Sequence, residues 1–261
     1  MLLESKTAVI YGAGGAIGSG VAEAFAREGA FVHLTGHHVE SLREVAERIA
    51  GAGGLADVAR VDAFDEAAVG ADLDRLAAER GAVDVSFNAV SFEQDMGDPL
   101  TQVSVDQFRK STSGLVVTNF ITMTAAARRM MERGSGTLLA ITATPAKLSG
   151  VGAGTFSVAG AAVEALCRQL AVDLGPSGIR VVCLRSAGSP DAKGVSATMD
   201  HLAQQQGITR EEFEAGIASQ SLLKRMPRVA EFANAAVVMA SDYASAFTGA
   251  AANVNCGEVV D

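Results

Sequence analysis

At 261 residues the chain is long enough for one large α/β domain, and 49% hydrophobic residues with 28 glycines and no tryptophan describe an aliphatic core. A formal charge of −9 argues against nonspecific nucleic-acid binding, and no apolar run reaches the length of a membrane span. The opening MLLESKTAVIYG lacks the basic region of a signal peptide, and Cys167, Cys183 and Cys256 are too far apart for metal-type pairs, so a cytoplasmic protein with free thiols and no metal is expected.

Short β-rich runs alternate with helical patterns along the whole chain. Thr7–Tyr11 reads as a strand and Ala16–Glu28 as a helix, followed by a strand at Phe31–Thr35, a helix at Glu40–Ala50 and a strand at Leu55–Val61. Glu66–Arg80 is helical, and Val83–Asn88 is a strand ending on a polar residue. Ser104, with Gln107 three residues on, has the form of a capping box opening a long helix toward Arg133. Thr137–Thr142 and Ile179–Leu184 are strands that flank a helix over Phe156–Leu174. This alternation predicts right-handed βαβ crossovers and a doubly wound parallel sheet of the Rossmann type in one domain. The polar, glycine-bearing stretch 186–222 breaks the pattern and reads as an inserted lid or substrate loop with two short helices.

The first strand runs into GAGGAIG, Gly12–Gly18, and then a helix. Backbone amides in such a turn, with the helix dipole behind them, suit a pyrophosphate, although a tight turn without ligand gives the same string. The expected lining is Gly12, Gly14, Gly15, Ile17 and Gly18, with His37 and His38 from the end of the second strand. In dinucleotide folds an acidic residue at the tip of the second strand accepts hydrogen bonds from the adenosine ribose. Here the tip is Thr35-Gly36-His37-His38, with no acid, and two imidazoles that can donate to a 2′-phosphate. This favours NADP(H) over NAD(H).

Taken together, these segments resemble the short-chain dehydrogenase/reductase family over nearly the whole chain. Tyr11–Gly18 is similar to the family's TGxxxGxG, with Tyr for Thr and Ala16 for the middle glycine. Val61-Asp62 resembles the Asp placed near the adenine, and Phe87-Asn88-Ala89-Val90 resembles the NNAG strand end, keeping Asn88 and Ala89. Pro227–Glu231 and Ser241–Gly249 are similar to the family's last helix and the segment after it. The resemblance implies the strand order 3-2-1-4-5-6-7. It also implies pairing as a homodimer or homotetramer through the helices at 105–133 and 156–174; assembly with an active relative goes with a noncatalytic subunit.

Members of that family use a Ser, a Tyr, a Lys four residues later, and often an Asn. The Tyr protonates the oxyanion as hydride arrives, the Lys lowers the Tyr pKa and holds the nicotinamide ribose, and the Ser orients the carbonyl. Matching GTLLAITA and FSVAGAA to the family's segments puts Ala143 at Ser, Phe156 at Tyr and Gly160 at Lys, while Leu115 falls at Asn. General acid catalysis is worth about 10²–10⁴-fold, and none of these four side chains supplies it. Substitute donors among the carboxyl-end loops and strand ends are His201, Thr142, Glu93 and Asp95, with Thr144, Lys147, Asp191, Lys193 and Asp200 also there, and Asn119 one turn beyond Leu115.

The expectation is an oxidoreductase by resemblance, acting on an unidentified small molecule without ordinary Tyr/Lys-assisted carbonyl reduction. A noncatalytic cofactor-binding or structural subunit and a non-redox cyclase or isomerase using the apolar pocket are the alternatives.

Overall fold

A computed structural model describes residues 1–90, 96, 98–150 and 153–260. Seven parallel strands form one sheet: β1 (Thr7–Tyr11), β2 (Phe31–Gly36), β3 (Leu55–Arg60), β4 (Val85–Asn88), β5 (Gly136–Ala143), β6 (Ile179–Ser186) and β7 (Ala250–Val254). Their order is β3-β2-β1-β4-β5-β6-β7, as the resemblance implied. Helices α1 (Ala16–Arg27), α2 (Val39–Gly51) and α8 (Val229–Ala240) cover one face; α3 (Glu66–Arg80), α4 (Val105–Arg133) and α5 (Gly154–Leu174) cover the other. The stretch 186–222 carries α6 (Lys193–Gln206) and α7 (Arg210–Gln220), bound together by Arg210, which reaches Asp200 at 2.8 Å and the Ser196 carbonyl at 2.7 Å.

Both faces of the sheet are dry. In β1, Val9 and Tyr11 enter the core under α3–α5 while Ala8 and Ile10 enter the core under α1, α2 and α8; in β5, Leu138 and Leu139 divide the same way. That is the period-2 alternation of a strand that packs apolar side chains on both faces. Phe87 and Phe232 tie β4 to α8, with ring centroids 6.4 Å apart and planes tilted by 40°.

Element ends follow local hydrogen-bond chemistry. Ser104 and Gln107 close the expected capping box of α4, and Gly134 ends that helix at φ +70°. The fourth strand starts at Val85, later than the pattern suggests, because the Asp84 carboxylate accepts from the Thr7 amide at 2.8 Å at the edge of the ladder. The fifth helix starts at Gly154, two residues before Phe156. Strand β6 runs two residues past Leu184, since Arg185 and Ser186 pair with Thr142 and Ala143 on one side and Asn253 and Val254 on the other.

A buried ionic cluster sits beside the sheet at β2. His33 in β2 is sealed from solvent, with Nδ1 2.5 Å from Asp57 Oδ1 and Nε2 2.8 Å from Asp72 Oδ2; Arg75 donates to the other oxygen of Asp72 at 3.0 Å. Burial alone would lower the imidazole pKa, but the two carboxylates outweigh it and raise the value to about 9. With a carboxylate at each ring nitrogen, both nitrogens donate and the ring is an imidazolium. Folding thus raises this pKa above the roughly 6.5 of an unfolded histidine, so the contribution is complete below that value and is lost as pH rises through the folded one. The expected stability loss is on the order of 3 kcal/mol. Urea unfolding at pH 6.5, 8 and 10 should show it, with the step reduced in His33→Gln; an unchanged profile in that variant would contradict the assignment.

Candidate functional site

The carboxyl end of β1 turns through Gly12, whose φ of +72° and crowded surroundings exclude a side chain: a Cβ there would meet the Ala89 carbonyl oxygen at 2.7 Å and Val90 Cα at 2.9 Å. Gly18, in the first turns of α1, lies directly over this turn, and a Cβ would strike the Gly12 carbonyl oxygen and meet Ala13 Cα at 2.9 Å. These approaches press the helix start onto the strand end. Gly15 caps α1 without a side-chain hydrogen bond, and no acid stands in its first turn, so the positive end of the helix faces the crevice without a fixed counter-charge.

The crevice beside this turn has a volume of about 530 Å³ and brings together Gly12, Gly14, Gly15, His37, His38 and Asp62. His37 Nε2 lies 3.4 Å from Asp62 Oδ1, which also accepts from the Phe64 amide at 2.9 Å. Asn88 does not open into this space. It is buried, donates to Thr122 Oγ1 at 3.0 Å and accepts from the Val90 amide at 3.0 Å, thereby holding the backbone that crowds Gly12. Ala89 acts through its backbone, its amide donating to the Tyr11 carbonyl at 2.9 Å. Ile17 and Gly18 belong to the helix behind the turn. A glycine cradle with an uncapped helix N-terminus fits the pyrophosphate and adenosine end of a dinucleotide.

The opposite end differs. Ala143 ends β5, the next residues form a 3₁₀ turn over Thr144–Ala146, and this turn packs against α5. A Cβ built on Gly160 would meet Ala146 Cβ at 2.9 Å, so the turn occupies the space a longer side chain would leave by. Phe156 packs against the α3–α5 core, and Leu115 is buried in it. Asn119 is buried too: its Nδ2 donates to the Leu115 carbonyl at 2.8 Å, and its Oδ1 has no hydrogen-bond partner.

The substitute donors fare unequally. Thr142 is spent inward, donating to Glu164 Oε1 at 3.0 Å and lying 3.2 Å from Cys183 Sγ. Glu164 in turn forms a buried two-point ion pair with Arg185, at 2.7 Å for each contact, and Arg185 reaches Asn253 Oδ1 at 2.7 Å. This α5–β5–β6–β7 brace was not visible in the sequence, where Glu164 is one position of the helical stretch 156–174. Asp191 accepts from the Val229 amide at the start of α8 at 3.1 Å, and Asp200 is paired with Arg210. His201 is exposed on α6. Glu93 and Asp95 lie outside the described residues. Among the described residues no group of His, Cys, Asp and Glu could hold a metal ion, and no helix is long and apolar enough to cross a membrane.

Comparison with known proteins gives consistent matches. A family profile described as Enoyl-(Acyl carrier protein) reductase matches residues 12–258. The cis-4-hydroxycyclohexanecarboxylate dehydrogenase of Sinomonas cyclohexanicum is 30% identical over 254 residues, covering 97% of this chain and 96% of the relative. The solved structure of NAD+-bound xylitol dehydrogenase superimposes with a TM-score of 0.92 at 20% identity, over 98% of this chain and all (100%) of that one. A candidate NAD(P)-dependent gluconate 5-dehydrogenase from Beutenbergia cavernae, solved with bound NADP, does so at 0.85 and 27% identity, over 98% and 97% of the two chains.

The contact between Gly160 and Ala146 has a direct consequence for mutagenesis. Gly160→Lys should lower stability by about 1–3 kcal/mol through overpacking. Adding Ala146→Gly should restore most of that loss in thermal unfolding, whereas equal losses in the single and double variants would show that the turn yields freely.

Proposed function

Since this chain belongs to the short-chain dehydrogenase/reductase family, we propose that it binds a nicotinamide dinucleotide in the crevice beside β1 and performs an oxidoreduction whose proton does not come from a Tyr–Lys pair. The observation that carries this reading is the contrast between the two ends of one site. The backbone cradle of Gly12, Gly15 and Gly18 is complete, while Ala143, Phe156, Gly160 and Leu115 leave the reacting end without the family's polar groups.

When bound, the dinucleotide supplies or accepts hydride. The chain's own residues bind and orient. The turn amides and the N-terminus of α1 hold the pyrophosphate, with Asn88 keeping the neighbouring backbone in place. His37 and His38, at a strand tip with no carboxylate, favour a 2′-phosphate, which supports NADP(H) over NAD(H); the nearby Asp62 moderates that preference by pairing with His37. The segment 186–222 acts as a lid that keeps water from the substrate, an unidentified small molecule.

A second reading is favoured by the close packing of Ala146 on Gly160: a cofactor-binding subunit without turnover, associated with an active relative. Self-association through α4 and α5 fits either reading, because Phe120 on α4 and Val172 on α5 are 49% and 70% exposed despite being apolar.

Fluorescence titration with NADPH and NADH tests the main reading. NADPH should bind more tightly than NADH, and His37→Asp should reverse the order; absence of binding by both at millimolar concentration would overturn the proposal. Light scattering should find a dimer or tetramer that Phe120→Glu with Val172→Glu shifts toward monomer, and a native protein that is monomeric at micromolar concentration would contradict the interface.

A further inference from the structure

We propose that His37 and Asp62 together read the 2′ position of the nucleotide, and that the proton on His37 decides between NADP(H) and NAD(H); this rests on the dinucleotide-binding reading above. The tip of β2 carries no acid, so an acceptor for the adenosine ribose is missing from that strand. The neighbouring strand brings a carboxylate to the same place.

Gly36 pairs with Arg60 at the end of the β2–β3 ladder, and the Val61 amide donates to the Gly36 carbonyl at 3.3 Å. This ties the residue before Asp62 to the residue before His37. His37 Nε2 consequently lies 3.4 Å from Asp62 Oδ1, and both side chains line the crevice of about 530 Å³ beside the glycine turn. The two are 54% and 46% exposed, so either can change partner on binding without stranding a buried charge. Asp62 is nevertheless aimed: its Oδ1 also accepts from the Phe64 amide at 2.9 Å, and its Oδ2 takes no hydrogen bond among the described residues.

The other charged or titratable groups on the surrounding elements are His38 and Glu40 at the start of α2, Arg60 at the end of β3, and Asp65 and Glu66 at the start of α3. Asp65 is engaged by the Ala68 amide at 2.9 Å, and Glu66 lies 3.4 Å from Arg128. The first turn of α1 brings no acid. His37 and Asp62 are thus the opposed pair at this end of the crevice.

Histidine is the side chain that ordinarily changes charge between pH 5 and 8. Protonated, His37 presents a cationic N–H suited to the 2′-phosphate of NADP(H), a monoester carrying a charge of about −1.5 to −2 at pH 7. When the ring is neutral, the Asp62 carboxylate repels that phosphate but accepts a hydrogen bond from the 2′-hydroxyl of NAD(H). NADP(H) binding therefore takes up a proton from solvent at His37 wherever the free ring is neutral, and NAD(H) binding does not.

Fluorescence titration of NADPH and NADH at pH 7 and 9 tests this in a range where the 2′-phosphate is already ionised. The ratio of NADPH to NADH affinity should fall by about tenfold or more between the two values. It should stay constant in His37→Gln and still fall in His38→Gln, while Asp62→Asn should cost NADH about tenfold in affinity and NADPH less. Calorimetry of the native chain at pH 8, in two buffers of different ionisation enthalpy, is independent of the variants: NADPH should take up protons and NADH none. If both nucleotides bind and their ratio is equal at pH 7 and 9, or if His37→Gln keeps the fall, the proton-linked choice is overturned while the oxidoreductase reading stands. If neither nucleotide binds, both fall together.

Discussion

The sheet is buried on both faces, and that constraint governs where chemistry can occur. A strand covered by helices above and below has no room for an unpaired polar side chain. The buried charges of this core are held by partners: His33 by Asp57 and Asp72, Glu164 by Arg185. The crevice residues gather at the carboxyl ends of the strands, where the ladder stops. The close approach of Gly12, Gly18 and Ala89 then fixes how far apart the first helix and the fourth strand stand, and so the shape of the crevice between them.

At the other end of the same edge the backbone packs closely. The turn after β5 lies against Gly160, Phe156 packs into the α3–α5 core, and Thr142 is turned inward to a buried carboxylate. A site that merely lost side chains would be expected to gape, because large-to-small changes in a rigid core leave cavities. The local backbone here has taken up the volume. The Glu164–Arg185 pair one turn below Gly160 braces α5 to β6, and through Asn253 to β7, so the helix keeps its place without a lysine at its upper end.

Most of the architecture was legible along the chain. The alternation of β-branched runs with helical spacing, the capping box at Ser104 and Gln107, and the glycine turn after Tyr11 each act over a few residues, and each appears where the pattern put it. The misjudged ends have long-range causes: Asp84 reaches β1 from 77 positions away, and Arg185 extends β6 only because β5 and β7 flank it. That Ala143, Phe156, Gly160 and Leu115 carry no titrating group was visible too, because this is a property of the residue itself.

Pairings between distant segments were not legible. His33 looks like an ordinary polar interruption of a strand until Asp57 and Asp72 arrive at its two nitrogens, 24 and 39 positions on. Glu164 is one position of a helical stretch until β6 brings Arg185 to its carboxylate, 21 positions on. Periodicity, turns and caps are local free energies, so the order of residues determined the doubly wound fold and the glycine turn after Tyr11. The protonation of a buried imidazole and the partner of a buried carboxyl depend on what lies within hydrogen-bond reach after folding, and only the tertiary structure decided those.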